Sequence, residues 1–223
     1  MNDAADVPAP PISWTVVIPV KGAPAAKTRL APAVADQARA MLARAFALDT
    51  ITAALAAGSV TRVIVVGDDP ALAGDAEFLA EPVDGPRSLG RAIAQGIAHA
   101  SRDDRSTGIA VLLGDLPALR PDELDAALDA ASRHPFAFVR DADATGTTLA
   151  TAMPGATAFE PQFGLDSAAR HDAAGFVELA ASDLTGLTRD VDTVDALEAV
   201  LHHGVGDHTA EVVAHLADRK GTR

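Results

Sequence analysis

Residues 109–119 read IAVLLGDLPAL, an apolar run that stops at Gly114 and is followed by Asp115. A short apolar run that ends in turn residues is typical of a β-strand buried on both faces. Two similar runs precede it, WTVVIPV at 14–20 and RVIVV at 62–66. These three segments predict the central strands of a sheet whose two faces are both covered.

Segments with helical patterning separate these strands. Helices are predicted at 33–57, 88–100, from 121 onward, 166–174, 193–203 and 209–219, and further strands at 77–83, 136–139, 147–153 and 187–191. Strands that alternate with helices predict an α/β fold with a largely parallel sheet and helices on both faces. In such sheets, ligands bind beyond the carboxyl ends of the strands. Chemistry is therefore expected in the loops after Val20, Gly67, Leu113, Val139 and Val191.

Length and composition restrict the class of protein. The 223 residues suit one α/β domain, which we expect to cover 13–223 after a disordered, Pro-rich tail at 1–12. A formal charge of −13 and the lack of a basic stripe argue against nucleic acid as a partner. The absence of cysteine excludes disulfides, zinc–thiolate sites and iron–sulfur clusters, and the apolar runs are too short to span a bilayer. We expect a cytoplasmic protein without membrane contact.

The loop after the first strand is basic in an otherwise acidic chain. No Asp or Glu occurs between residues 7 and 35, and the run VKGAPAAKTRLAP at 20–32 carries Lys21, Lys27 and Arg29. Cations and exposed N–H groups in a loop of small residues can neutralise a triphosphate. A solvated loop that balances neighbouring acids is the alternative. The segment has neither the spacing of a Walker A loop nor the glycine fingerprint of a dinucleotide-binding enzyme.

Carboxylates follow two of the later predicted strands. Asp115 comes directly after IAVLLG, and Asp190 and Asp192 alternate in RDVDT at 189–193, so both face one side of the predicted strand. Magnesium prefers one or two protein carboxylates, with phosphate oxygens and waters as its other ligands. Asp192 suits the N-cap of the next helix, which makes Asp190 the better second ligand. Turn or cap roles for these carboxylates are the alternative.

Glycine and hydroxyl groups recur in two further segments. DATGTT at 143–148 precedes a predicted strand, and FGLDSAARH at 163–171 leads into a helix. Hydroxyls, glycine N–H groups and a helix N-terminus together can form an anion pocket, to which Arg170 and His171 would add charge. An ordinary turn and a capped helix, with Arg170 and His171 in solvent, fit the same pattern.

Taken together, these segments resemble one family. VIPVKGAPAAKTRLAP, LLGDLPAL, the Gly146-Thr147 turn, FGLDSAARH and RDVDT occur in the order found in the guanylyltransferases of deazaflavin coenzyme F420 biosynthesis. LLGDLPAL is shared more broadly with nucleotide-sugar-type transferases, whereas the basic loop and FGLDSAARH are more specific. The resemblance covers roughly residues 14–200. It implies a Rossmann-like, three-layer α/β/α sandwich of the nucleotide-diphosphosugar transferase type, with a mostly parallel, mixed sheet.

The resemblance also implies a reaction and the residues that perform it. Members of the family couple the guanylyl group of GTP to phosphoenolpyruvate or 2-phospho-L-lactate, and hand-over of the product to the next pathway enzyme is implied. Two carboxylates would bind Mg²⁺, Asp115 and Asp190. Three cations would hold the GTP phosphates, Lys21, Lys27 and Arg29. Catalysis would depend on Lys27, Arg29 and Asp115. The phosphorylated acid would be held by Thr147, Gly164 and Ser167.

The expected mechanism needs no general base, because an acceptor phosphate is already largely dianionic near neutral pH. The task is then positioning and charge neutralisation. Two other functions fit the residues: a nucleotidyltransferase of the same fold with a molybdopterin or sugar-phosphate acceptor, and a non-catalytic nucleotide-binding regulator. The sequence leaves open the choice among phosphoenolpyruvate, 2-phospho-L-lactate and 3-phosphoglycerate, the strictness of guanine selection, the number of metal ions and the oligomeric state.

Overall fold

A computed structural model describes residues 12–20, 35–103 and 106–221 of the chain. Its strands are β1 (Trp14–Pro19), β2 (Val60–Gly67), β3 (Glu77–Ala80), β4 (Gly108–Leu112), β5 (Phe136–Arg140), β6 (Thr147–Ala152) and β7 (Val177–Glu178). Its helices are α1 (Asp36–Ala56), α2 (Leu89–Asp103), α3 (Pro121–Ala131), α4 (Ser167–Ala173), α5 (Thr185–Thr188), α6 (Val194–His203) and α7 (Asp207–Gly221), with a 3-10 turn at Pro70–Leu72. The predicted alternation of strands and helices is confirmed for most of these elements.

The strands form one sheet in the order β3-β2-β1-β4-β6-β5-β7. Strand β6 runs antiparallel to its neighbours β4 and β5, and the other described strand pairs are parallel. The sheet is therefore mixed and mostly parallel. Because β6 lies antiparallel beside β4, its first residues lie next to the carboxyl end of β4. The N–H of Leu113 donates to the carbonyl of Thr148 at 2.9 Å.

Helices cover both faces of the sheet. On one face, Val16 and Ile18 of β1 pack in a core that includes residues of α1 and α3. On the other face, Val17 packs against α2, and Phe138 of β5 packs against Ala168 of α4. Burial of side chains of this size contributes about 1.5–3 kcal/mol each, so strands that are apolar at successive positions are stable between two helical layers. The structure confirms the three-layer α/β/α sandwich.

Helices α6 and α7 form an outer layer against α1. Leu42 and Phe46 of α1 are buried in a cluster with Val200 of α6. The carboxylate of Asp49, also buried in α1, accepts hydrogen bonds from the N–H groups of His208 and Thr209 at 3.0 and 2.9 Å. These donors lie in the first turn of α7, where backbone N–H groups have no partner within the helix. Asp49 thus anchors α7 to the body of the protein.

The strand predicted at 187–191 is not present. The short helix α5 occupies its first residues, and the backbone from 189 to 193 is irregular. Leu187 and Val191 are buried, as their apolar character indicated. The N–H of Val191, however, donates to the carbonyl of Asp115 at 3.2 Å and not to a neighbouring strand. The apolar pattern here indicates two buried side chains and not a β-strand.

The N-cap of α6 also differs from the prediction. Thr193 caps the helix, and its Oγ1 accepts a hydrogen bond from the N–H of Ala196 at 3.1 Å. Asp192, which the sequence suggested as this cap, lies one residue earlier.

Two smaller differences concern strands: β3 ends at Ala80 and not at Val83, and β7 was not predicted.

Among the described residues, none of the helices has both the length and the apolar composition that a bilayer span requires.

Candidate functional site

Three carboxylates meet beyond the end of β4. Oxygen atoms of Asp115, Asp190 and Asp192 lie within 4.8 Å of one another, and all three residues are half-buried. Asp115 follows β4 by three residues, and the other two precede α6. The structure thus brings together the two carboxylates that the sequence suggested as metal ligands and adds Asp192. We call these three residues the carboxylate cluster.

The segment that carries Asp190 and Asp192 is fixed by bonds to three separate elements. The buried Glu123 of α3 accepts a hydrogen bond from the N–H of Gly186 at 2.9 Å. The carbonyl of Thr188 accepts one from Ala142 at 2.8 Å, and Val191 donates to Asp115. Because each bond comes from a different element, the segment has a defined path without belonging to the sheet. That path brings two acidic side chains next to Asp115.

The chemistry of this cluster suits a hard divalent cation. Carboxylate oxygens are preferred ligands of Mg²⁺, which also keeps several waters or phosphate oxygens. Half-buried carboxylates leave one side of such an ion open to a ligand. Three negative charges at this spacing also repel one another, and a bound cation would relieve that repulsion. The cluster can therefore hold a metal ion that remains accessible to phosphate.

The end of β1 and the residue that follows it, Val20, lie against Gly114, the neighbour of Asp115 in the sequence. A Cβ atom on Gly114 would lie 3.2 Å from Ile18 and 3.3 Å from Val20, so only glycine fits here without displacing a neighbour. Val20 therefore contacts the residue directly before Asp115. The next residues, 21–34, lie outside the described part of the chain. They include the predicted phosphate-binding residues Lys21, Lys27 and Arg29, whose convergence on the carboxylate cluster remains a prediction.

The Gly-Thr turn is held by a carboxylate that the sequence did not single out. Asp141 accepts hydrogen bonds from the N–H groups of Thr145 and Gly146 at 3.0 and 2.8 Å. These two N–H groups are therefore engaged within the protein, and the expectation that glycine N–H groups of this turn bind an anion is wrong for Gly146. The residue that follows the turn, Thr147, has its Oγ1 3.1 Å from Nδ1 of His171.

The other predicted acceptor residues lie against this turn. Gly164 has a φ angle of 117°, which residues with a side chain rarely adopt, and its carbonyl accepts from the N–H of Ser167 at 3.2 Å. The N–H of Ala168 donates to the carbonyl of Thr145 at 3.2 Å. The structure thus brings Thr147, Gly164 and Ser167 together. Thr147 and Ser167 are buried, with only 2% and 1% of their surfaces exposed.

The two basic residues of FGLDSAARH have different environments. Arg170 is exposed, and its guanidinium donates to the carbonyl of Phe163 at 3.1 Å beside Gly164. His171 is completely buried, and its burial lowers the pKa of the imidazole from 6.5 to about 4. Arg170 nearby also lowers this pKa. Arg170 can therefore contribute positive charge to the predicted anion pocket at neutral pH, whereas His171 is neutral and cannot.

The buried His171 makes stability sensitive to pH in a defined window. Below pH 6.5 the unfolded chain binds a proton that the folded chain excludes until about pH 4. The free energy of unfolding should therefore fall as pH drops through this window, by roughly 2–3 kcal/mol in total. Urea unfolding of wild type and His171→Phe at pH 7 and pH 4.5 measures this contribution. An identical pH dependence in the two proteins would contradict the assignment of a neutral, buried imidazole.

The carboxylate cluster and the predicted acceptor residues lie at one edge of the sheet. The bond between Leu113 and Thr148 joins the two regions directly, since Asp115 follows Leu113 by two residues and Thr147 precedes Thr148. The bond from Ala142 to Thr188 makes a second connection, between the loop before β6 and the segment before Asp190. Both groups of residues can therefore act on the same bound molecules.

Sequence reasoning missed three features of this site. The D-x-D spacing allowed Asp192 to be a second metal ligand beside Asp190, but the sequence pattern assigned Asp192 to the cap of the next helix. An Asp that precedes a turn, such as Asp141, often accepts hydrogen bonds from the turn, and this signal was available. The burial of His171 was missed although Phe163 and Phe176 are close to it in sequence, because the ring that stacks on it, Phe138, comes from β5.

Comparison with known proteins places these features in context. A family model described as "Guanylyl transferase CofC like" matches residues 14–218. A phosphoenolpyruvate guanylyltransferase of Streptomyces scabiei is 44% identical over 212 residues, which is 92% of this chain and 98% of the relative. A Desulfovibrio desulfuricans protein described as a nucleotide-diphospho-sugar transferase superimposes with a TM-score of 0.67 at 16% identity, over 92% of this chain and 95% of that one. A Mycobacterium tuberculosis protein solved with manganese has a TM-score of 0.51 at 22% identity, over 85% and 98% of the two chains. At these identities the two structural similarities concern the fold alone.

Proposed function

The chain belongs to the family of CofC-like guanylyl transferases, and from this membership we propose that it transfers GMP from GTP to phosphoenolpyruvate. In this reaction a phosphate oxygen of the acceptor forms a bond to the α-phosphorus of GTP. The bond from that phosphorus to the β-phosphate oxygen breaks, and pyrophosphate leaves. The product is the acid joined to guanosine through a diphosphate, one phosphate of which comes from the acceptor and the other from GTP.

One observation carries the proposal: a carboxylate cluster and a group of hydroxyl-bearing residues lie at the same edge of an α/β sheet. The first suits a metal–nucleotide complex, and the second suits a small anion. The hydrogen bond from Leu113 to Thr148 places the two within one continuous region. A nucleotidyltransferase needs this arrangement, because donor and acceptor must meet in line at one phosphorus atom.

We propose that Asp115 and Asp190 bind Mg²⁺ and that Asp192 contributes to the same site. Bound there with the nucleotide, Mg²⁺ would polarise the α-phosphate and offset the charge that develops during transfer. The residues of the chain hold this complex in place through the half-buried carboxylates and the fixed path of residues 186–191. We further propose that Lys21, Lys27 and Arg29 neutralise the triphosphate and the departing pyrophosphate.

The acceptor is proposed to bind at Thr147, Gly164 and Ser167. Hydroxyl groups can donate to the phosphate or carboxylate of a small acid, and Arg170 beside Gly164 supplies a cation. The reaction needs no base to activate the acceptor, because its phosphate is already largely dianionic at neutral pH. This agrees with the chemistry of His171, whose lowered pKa and engaged ring nitrogens prevent it from taking up a proton there.

The wider proposal follows the family. The diphosphate-linked product would serve coenzyme F420 biosynthesis in the cytoplasm and pass to an enzyme that uses it. 2-Phospho-L-lactate is the second proposed acceptor, since it has the same three-carbon skeleton and the same two anionic groups as phosphoenolpyruvate and differs in having a saturated C2–C3 bond.

Pyrophosphate release tests this function directly. The purified protein is incubated with GTP, Mg²⁺ and each of four acceptors: phosphoenolpyruvate, 2-phospho-L-lactate, 3-phosphoglycerate and a sugar 1-phosphate. We expect release with phosphoenolpyruvate, with no release when the acid is omitted. Release only with the sugar phosphate would indicate a different transferase, and GTP binding without release would indicate a regulator.

Replacement of Ser167 tests the acceptor pocket. We expect Ser167→Ala to raise the KM for the acid by about ten- to hundredfold, because a hydrogen bond to a charged ligand contributes about 1.5–3 kcal/mol. The KM for GTP should change less than twofold. Ser132→Ala, at the end of α3, is the matched control. If Ser167→Ala raised the KM for GTP more than that for the acid, the acceptor pocket would be wrongly placed.

A further inference from the structure

One imidazole joins the three segments that carry the acceptor residues. The Nε2 atom of His171 accepts a hydrogen bond from the backbone N–H of Gln162 at 2.8 Å. Its Nδ1 atom lies 2.9 Å from the carbonyl of Ser167 and 3.1 Å from Oγ1 of Thr147. These partners belong to the loop before Gly164, to α4 and to the start of β6. His171 is thus the common contact of the predicted acceptor-binding segments.

The hydrogen bonds define the protonation of the ring. Because Nε2 accepts from a backbone N–H, the proton of the neutral imidazole must be on Nδ1. The Ser167 carbonyl can only accept, so Nδ1–H is directed at that carbonyl and at Oγ1 of Thr147 together. A Thr147 oxygen that accepts from Nδ1–H keeps its own hydroxyl hydrogen for a different acceptor. The geometry therefore directs the Thr147 O–H outward from the imidazole.

Aromatic rings hold the imidazole in this orientation. Phe138 stacks on it with centroids 5.3 Å apart and an interplanar angle of 19°. Phe163 and Phe176 contact it edge-on at 5.5 and 4.9 Å. The ring is completely buried, so rotation or reprotonation would disturb this packing and expose charge to an apolar environment.

We propose that His171 is a positioning residue for the acceptor: it orients the Thr147 hydroxyl toward the phosphorylated acid and fixes the Gly164–Ser167 loop around it. The inference rests on the proposed function and deepens it, since it assigns a role to a residue that does not itself touch the substrate. If His171 only stabilised the fold, its replacement would weaken the binding of both substrates. If it positions the Thr147 hydroxyl, its replacement weakens the binding of the acid alone.

Three substitutions of His171 separate its two hydrogen-bonding functions. His171→Phe keeps an aromatic ring and removes both functions. His171→Asn places an amide donor near the position of Nδ1, and His171→Gln places an acceptor near Nε2. We expect His171→Phe to raise the KM for phosphoenolpyruvate about tenfold or more, with the KM for GTP within twofold. His171→Asn should restore the KM for the acid better than His171→Gln.

Phe176→Leu is the matched control, because it disturbs the same aromatic cluster without removing a hydrogen bond. It should lower the melting temperature and leave the ratio of the two KM values unchanged. Equal increases of both KM values in His171→Phe would overturn the proposal, and so would better rescue by Gln than by Asn. If the wild-type protein transferred no GMP to any acid, the proposed function would be wrong as well. If the wild type were active but His171→Phe raised both KM values equally, only the proposed role of His171 would be wrong.

A measurement on the unsubstituted protein avoids any dependence on folding of the variants. A long-range ¹H–¹⁵N spectrum of histidine-labelled protein at pH 7 should show His171 neutral, with its proton on Nδ1. Addition of phosphoenolpyruvate without GTP should shift the Nδ1 resonance. A proton on Nε2, a charged ring, or a spectrum that the acid leaves unchanged would each overturn the proposal.

Discussion

Asp115→Asn is expected to lower kcat by about 10³-fold or more while the fold remains intact. The substitution keeps the size of the side chain and removes the charge that would hold the metal–nucleotide complex at the end of β4. Loss of one preorganised electrostatic contact at a reacting centre costs about 10²–10³ in rate, and weaker metal binding adds to this loss. Steady-state pyrophosphate release at saturating GTP, acid and Mg²⁺ measures the effect.

The control for this variant is Asp129→Asn, which changes an exposed carboxylate of α3 that forms an ion pair with Arg133. Circular dichroism should be alike in both variants and wild type, since Asp115 lies in a half-buried loop outside the helical layers. Asp115→Asn should not lower the melting temperature, because the charges of the carboxylate cluster repel one another. Wild-type turnover in Asp115→Asn would exclude this carboxylate from the mechanism.

Asp190→Asn is expected to cause the second largest loss, about 10²-fold in kcat, with a higher requirement for Mg²⁺. Asp192→Asn should behave similarly if three carboxylates share one ion, because their oxygens lie within 4.8 Å of one another. A rate measured as a function of Mg²⁺ concentration distinguishes weakened metal binding from slower chemistry. Of these two residues, the sequence pattern assigned metal binding to Asp190 only. The comparison of the two variants therefore decides whether Asp192 is also a metal ligand.

Activity in Asp190→Asn that matches wild type at low Mg²⁺ would contradict the assignment of Asp190. A large loss in Asp192→Asn with none in Asp190→Asn would reverse the order of the two ligands. A helix-capping role cannot account for a loss in Asp192→Asn, because Thr193 provides the cap of α6.

The central part of the fold could be predicted because its signal is local. The runs at 14–20, 62–66 and 109–113 are mostly apolar at successive positions, which is suitable for strands covered by helices on both faces. The direction of β6 could not be predicted in the same way. A buried strand has the same pattern whether it runs parallel or antiparallel to its neighbours, and the order of strands depends on contacts between distant segments.

The acidic segment before α6 shows the limit of pattern reasoning. The apolar Leu187 and Val191 suggested a strand, but they are buried beside α5 and the irregular backbone that follows it. Asp190 still reaches Asp115, because bonds to Glu123, Ala142 and Asp115 determine the path of the segment. The proximity of the two carboxylates was thus anticipated, although the local structure that produces it was not.

His171 shows how tertiary contacts decide the chemistry of a residue. In the sequence it is one of two basic residues in FGLDSAARH, and the pattern allowed both a charged and a solvent-exposed role. The structure surrounds it with Phe163 and Phe176, which flank it in the sequence, and with Phe138 of the distant strand β5. Burial keeps the ring neutral and converts a suspected cation into a hydrogen-bonding centre. Arg170, its neighbour in sequence, remains exposed and charged.

The central claim is that the carboxylates beyond β4 and before α6, together with the cations after β1, bind one metal–nucleotide complex. A crystal structure with Mn²⁺ and a GTP analogue whose α,β-bridging oxygen is replaced by methylene tests it most directly, because manganese is located by its anomalous signal. The account predicts a manganese peak at coordinating distance, about 2.0–2.3 Å, from oxygens of Asp115 and Asp190 and from a phosphate of the analogue, with Lys27 and Arg29 on the same triphosphate. A metal bound elsewhere, or a triphosphate that lies away from these side chains, would contradict it.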